Sequence, residues 1–148
     1  MYLTLVEQTQ QPTLMYAYFP VVNQNLVVDL LGDQPVRYQR IDVTGANGTP
    51  AQNWERYADN SIRFNWGYQW CMTAASATNG AAVYLAECTE FPNQHWDLVS
   101  PHQIVLEGTE LCLDVPAISL TPGTHLQVWT CNGGLNQQFS APPLVSYF

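Results

Sequence analysis

The sequence predicts an all-β fold of three related units packed around a pseudo-threefold axis. Three observations carry this expectation. A Gln-x-aromatic triplet recurs as Gln52-Asn53-Trp54, Gln94-His95-Trp96 and Gln137-Gln138-Phe139, at intervals of 42 and 43 residues, and self-similarity at a fixed period is the signature of a repeat architecture. Between the triplets run short apolar alternations, Val83-Tyr84-Leu85-Ala86 and Leu126-Gln127-Val128-Trp129 among them, separated by Thr78-Asn79-Gly80, Thr121-Pro122-Gly123 and Asn132-Gly133-Gly134; this is the pattern of strands and turns. The cysteines fall into the same register: Ala46, Cys88 and Cys131 each stand eight residues before the triplet aromatic.

The units span roughly 19–60, 61–102 and 103–141 within a single domain covering 1–148. None is large enough to bury a core alone, so the three must pack together, closing the sheet and hiding its edges. Trp54, Trp96 and Phe139 are the large side chains expected to fill the shared centre. No stretch combines helical periodicity with caps. Four cysteines allow three connectivities; the register favours Cys71 with Cys88 and Cys112 with Cys131, each stapling one unit and each adding about 3 kcal/mol on the chain-entropy account. The first unit has Val27 and Ala46 in these places.

Composition narrows the partners. The chain has 148 residues, no lysine, and Arg37, Arg40, Arg56 and Arg63 against twelve carboxylates, for a formal charge of -8. Nucleic-acid affinity comes largely from Lys and Arg displacing counterions, so neither nucleic acid nor an anionic membrane is expected as a partner. No apolar run approaches the roughly 20 residues of a spanning helix. Met1–Glu7 lacks the basic n-region of an intact signal peptide, while the paired cysteines point to a secreted protein. No cofactor or metal is expected, since neither a CxxC pair nor grouped histidines is present. His95, His102 and His125 are scattered, and no nucleophile motif occurs.

Three Gln-x-Trp-type triplets, with Cys112-Leu113-Asp114-Val115 and a later Cys131 in one unit, resemble the ricin-B type lectin family. The resemblance runs from about residue 16 and implies a β-trefoil with up to three shallow sugar pockets, one per repeat, often selective for galactose or N-acetylgalactosamine. A neutral sugar needs a flat ring for its C–H face and a few fixed polar groups for its hydroxyls. By resemblance Asp114, Gln127, Trp129, Asn136 and Gln137 match the family's binding positions in the third repeat. The strand period puts Gln127 and Trp129 on one face, with Leu126 and Val128 turned to the core.

The other two repeats are depleted. Thr73 and Ala86 replace the carboxylate and the ring in the second, although Asn93, Gln94 and an outward Tyr84 remain, so this pocket is expected to be empty or very weak. The first keeps Asp29 but has Asp42, Thr44 and Ala51 where amide, platform and Asn belong. A competing register, with Asp42, Gln52 and Trp54 as a second site, is disfavoured because Trp54 as a core residue keeps the eight-residue step to Ile62. The leading expectation is a non-catalytic lectin for terminal galactose or N-acetylgalactosamine, acting through the third repeat. Two readings compete with it: a xylan- or arabinan-binding module of a polysaccharide-degrading system, and a sugar-silent trefoil serving as protein scaffold or inhibitor. The apolar end segments from Tyr16 and Pro142 are expected to pack together or onto a partner.

Overall fold

The computed structural model describes residues 12–16, 18–21, 25–64, 69–99, 102–116, 121–140 and 143–146. Its strands are β1 (Pro12–Tyr16), β2 (Phe19–Pro20), β3 (Leu26–Leu30), β4 (Ile41–Gly45), β5 (Trp54–Tyr57), β6 (Ile62–Phe64), β7 (Trp70–Ala74), β8 (Val83–Glu87), β9 (Trp96–Val99), β10 (Gln103–Leu106), β11 (Leu111–Asp114), β12 (Thr124–His125), β13 (Gln127–Thr130), β14 (Phe139–Ser140) and β15 (Pro143–Ser146). No α-helix occurs among the described residues. The fold is a β-trefoil.

Threefold repetition is visible in the pairings. Strands flanking the repeat boundaries join antiparallel as β5 with β6, β9 with β10, and β14 with β2. Each repeat adds a hairpin in the same register: β3/β4, β7/β8 and β11/β13. Where a repeat begins, the amide of Trp96 donates to Asn60 O at 2.8 Å and that of Phe139 to His102 O at 2.9 Å. Asn60 and His102 both take left-handed backbone, φ 71° and 72°.

The triplet aromatics meet in the core as expected. Trp54 and Trp96 are 0% exposed and Phe139 2%. Burying an indole also buries an N–H that must find an acceptor. Trp54 Nε1 donates to Val28 O at 3.2 Å and Trp96 Nε1 to Met72 O at 3.1 Å, so each tryptophan ties its own repeat's hairpin to the centre. The competing register, with Trp54 as a surface platform, is thereby excluded.

Both disulfides form as the register indicates, Cys71–Cys88 and Cys112–Cys131. Beyond the three repeats, β1 pairs antiparallel with both β5 and β15. The two chain ends therefore pack on one another and extend the sheet past β5; Ala17, Val22, Pro142, Tyr147 and Phe148 of those end segments, like Met1–Glu7, lie outside the described residues.

Candidate functional site

The third-repeat hairpin brings the expected residues together. In β11/β13 Asp114 stands opposite Gln127 and Cys112 opposite Trp129, so the carboxylate, the amide and the indole follow from one register. Leu126 and Val128 are fully buried and Trp129 is 41% exposed, which is the alternation a half-buried strand imposes.

Asp114 is buried, and a buried carboxylate needs several donors. Oδ1 accepts from Gln127 Nε2 at 3.0 Å. Oδ2 accepts from Asn136 Nδ2 at 3.1 Å and Gln137 Nε2 at 2.9 Å. Asn136 Nδ2 also donates to Val115 O at 3.1 Å. Asn136 and Gln137 arrive on a single 3-10 turn, Leu135–Gln137. Gly134 before it is required by close approach: a Cβ there would lie 2.7 Å from Asn136 Oδ1 and 2.9 Å from Asn132 Oδ1.

Gln137 has a different part from the other four. It is 0% exposed. Its Oε1 accepts from the Asn132 amide at 2.9 Å and its Nε2 also donates to Thr130 O at 3.1 Å. The other two triplet glutamines repeat this pattern: Gln52 bridges the Asn47 amide and Gly45 O, and Gln94 bridges the Thr89 amide and Glu87 O. The triplet glutamine is thus a strut closing the loop after each hairpin, and Gln137 meets the pocket only by steadying Asp114.

The periodicity of the sequence gives no sign of the loop that supports Trp129 from the preceding repeat. Gly80 N donates to Val128 O at 2.8 Å, and Val128 N to Ala81 O at 3.0 Å. Asn79 Oδ1 accepts from both the amide (2.7 Å) and the hydroxyl (2.9 Å) of Thr130. A Cβ on Gly80 would stand 3.6 Å from Trp129 Cζ3, so the indole lies against the turn. The only hint in sequence is the turn triplet Thr78-Asn79-Gly80.

The matching positions elsewhere fall where the register puts them. In the second repeat Thr73 faces Tyr84 and Cys71 faces Ala86. Thr73 Oγ1 donates to Cys71 O at 2.9 Å and accepts from Gln94 Nε2 at 3.1 Å. Asn93 Nδ2 donates to Ala74 O at 3.0 Å, the counterpart of the Asn136–Val115 bond. In the first repeat Asp29 faces Asp42 and Val27 faces Thr44. Both carboxylates are buried, as is Ala51, so this hairpin offers no exposed ring or carboxylate. His125 pairs with Asp42 across β12/β4 and is exposed, placing it beside the first-repeat hairpin. No group of three or more candidate metal ligands occurs among the described residues.

Comparison with known proteins gives the same frame. The family model described as ricin-type beta-trefoil lectin domain matches residues 17–139. A designed threefold-symmetric protein, ThreeFoil, superposes with a TM-score of 0.79 at 19% identity, over 86% of this chain and 96% of that one. The C-half of an earthworm R-type lectin, solved in complex with GalNAc, gives 0.74 at 21% identity, over 88% and 98%. The agglutinin from Abrus precatorius gives 0.76 at 18% identity over 86% of this chain, which spans 47% of it.

Proposed function

Since the chain belongs to the ricin-type β-trefoil lectin domain family, we propose that it is a sugar-binding protein that takes a terminal galactose or N-acetylgalactosamine in its third-repeat pocket. The observation that carries this reading is the pairing of the exposed Trp129 indole with a carboxylate fixed by three side-chain amides. The indole offers its face to the C–H side of a pyranose. Asp114 accepts from hydroxyls, and Oδ1, with a single amide on it against two on Oδ2, is the oxygen turned to the ligand. Gln127 and Asn136 lie at the carboxylate's two sides and supply amide contacts, while Gln137 holds the frame behind them.

Binding without turnover fits this arrangement, because the pocket's acidic group is spent on accepting hydrogen bonds. One shallow pocket of this kind gives a dissociation constant of about 0.1–1 mM, or about 4–5.5 kcal/mol, and higher avidity then needs several copies in one assembly. Two disulfides support an extracellular setting. No helix among the described residues is long and apolar enough to cross a membrane.

The decisive experiment is a titration of galactose, N-acetylgalactosamine, glucose and xylose followed by amide NMR shifts. Galactose and N-acetylgalactosamine should move the amides around Asp114, Trp129 and Asn136. Equal or stronger shifts with xylose would turn the reading towards a plant-polysaccharide module, and no shift with any of the four would end it.

A further inference from the structure

In the second repeat, a ring from a different repeat lines the pocket in which Ala86 replaces the platform. Three loops make the same contact with a neighbouring repeat's hairpin: Tyr38 N donates to Leu85 O at 2.7 Å, Gly80 N to Val128 O at 2.8 Å and Gly123 N to Val43 O at 2.6 Å. All three residues are left-handed, with φ of 69°, 84° and 90°. Glycine suits such backbone, whereas a bulky aromatic there is an outlier of the kind that gathers at functional sites. At Gly80 the loop residue has no side chain and the hairpin supplies the ring, Trp129, whose Cζ3 lies 3.6 Å from where a Cβ would stand. At Tyr38 the arrangement is inverted: Ala86 leaves the space, and the loop residue supplies the ring.

That ring is fixed and faces a cavity. Besides the Tyr38 amide bond, Leu85 N donates to Gln39 O at 2.8 Å, so the loop is laced onto β8 from both sides. Tyr38 meets Tyr84 edge to face, with centroids 5.1 Å apart and planes at 81°, yet remains 63% exposed. The two rings line a cavity of about 350 Å³ together with Ala86, Glu87, Phe91 and Asn93. Arg37 donates side-on to Glu87, from Nε to Oε1 at 2.9 Å and from Nη2 to Oε2 at 2.5 Å, and this contact holds the Glu87 carboxyl down to about 2. Asn93 uses Nδ2 on Ala74 O, which leaves Oδ1 to accept from a ligand. Phe91, 68% exposed, also borders an adjoining cavity of about 400 Å³ walled by Ala77, Pro92 and Leu106.

We propose that this cavity is a second ligand site, for a pyranoside bearing an apolar aglycone: the sugar stacks on Tyr38, its hydroxyls meet Asn93 and the Arg37–Glu87 pair, and the aglycone passes Phe91 into the adjoining apolar cavity. Thr73 and Ala86 leave the second pocket without a carboxylate or platform of its own hairpin, but Tyr38 delivers a ring across the repeat boundary. The proposal rests on the sugar-binding reading of the chain but uses none of the third-repeat residues.

The test uses the whole chain carrying Trp129→Ala, titrated with methyl and octyl β-glucosides and β-galactosides below their micelle-forming concentrations, with n-octanol as control. Octyl glycosides should shift the amides from Tyr84 to Asn93, with half-saturation at least tenfold below the methyl glycosides. Tyr38→Gly, which suits the left-handed backbone and so keeps the loop, should remove the response. The proposal falls if those amides do not respond, if n-octanol shifts them as strongly as the glycosides, or if Tyr38→Gly leaves the response unchanged. Loss of galactose shifts around Asp114 in the wild-type chain would instead strike the third-repeat reading, so the two failures are told apart.

Discussion

The second and third repeats share a hairpin register, a loop strut and an asparagine pose, and part company in the side chains that line their candidate pockets. Gln94 and Gln137 bridge equivalent backbone groups, and Asn93 and Asn136 donate to equivalent carbonyls. Yet the third repeat places Asp114 and Trp129 where the second has Thr73 and Ala86. The comparison separates two kinds of information carried by one motif. The Gln-x-aromatic triplet specifies the frame, since its glutamine and aromatic are buried in every repeat; the proposed binding chemistry lies instead in the hairpin positions of Asp114 and Trp129, one buried and one exposed, and in the loop that arrives from the preceding repeat.

The comparison breaks most decisively at Asp114. Asp114→Asn keeps the shape but places an amide among three amide donors, removing the charge-assisted hydrogen bonds that a carboxylate offers. Galactoside affinity of the third repeat should fall by more than about 100-fold, or about 2.7 kcal/mol, with the second-repeat response to octyl glycosides retained. Calorimetry on the two ligands reads both halves. Trp129→Ala comes next, with a loss of roughly thirtyfold, about 2 kcal/mol. Because the indole is 41% exposed, the thermal midpoint should stay within a few degrees, and a large drop in it would make Trp129 a core residue.

What was legible in sequence follows from these two kinds of information. The period revealed Trp54, Trp96 and Phe139 as core, because burial at one point of each repeat requires the same residue class at the same spacing. The strand period placed Gln127 beside Trp129, and the unit register paired the cysteines. The sequence puts Gln137 in the candidate site but does not reveal it as a buried strut, since glutamine is ordinarily exposed and its burial here depends on backbone partners that only folding assembles. Asp29 and Asp42 likewise vanish into the first hairpin, against the usual exposure of aspartate. Tyr38 was illegible for another reason: its place in the second-repeat pocket is set by a left-handed loop contact, which leaves no period in the sequence.

Comparing the pockets across pH requires separating them from the frame, which titrates through Glu55. Burial pushes the Glu55 carboxyl up to about 7, and Arg63, opposite it across β5/β6, offsets this only in part. A folded-state value raised above the unfolded one of 4.5 means that the folded chain holds the extra proton. Its stabilising effect is full below about 4.5, and is lost as pH rises through about 7. The native chain should therefore lose about 2–3 kcal/mol between pH 5 and pH 8 from this group. Glu55→Gln should flatten that slope and raise the midpoint at pH 8 by several degrees. A denaturation series in both chains at pH 5, 6, 7 and 8 measures it; parallel slopes would remove Glu55 from the account.

The smallest effect is the most specific to the inverted ring. Tyr38 keeps a left-handed conformation at the position where the other two repeats use Gly80 and Gly123. Relieving that backbone gains about 1–3 kcal/mol, against which the greater unfolded-state freedom of glycine and the lost contact with Tyr84 act. Tyr38→Gly should therefore leave stability unchanged or raise it by up to about 1 kcal/mol, while the reciprocal Gly80→Tyr should cost more than about 1 kcal/mol, because it forces a bulky side chain onto left-handed backbone beside the Trp129 indole. Urea denaturation of the two variants and the wild type decides the point. If Tyr38→Gly costs as much as Gly80→Tyr, the tyrosine is a structural wedge between repeats, and the ring has no claim to be held at a cost for a ligand.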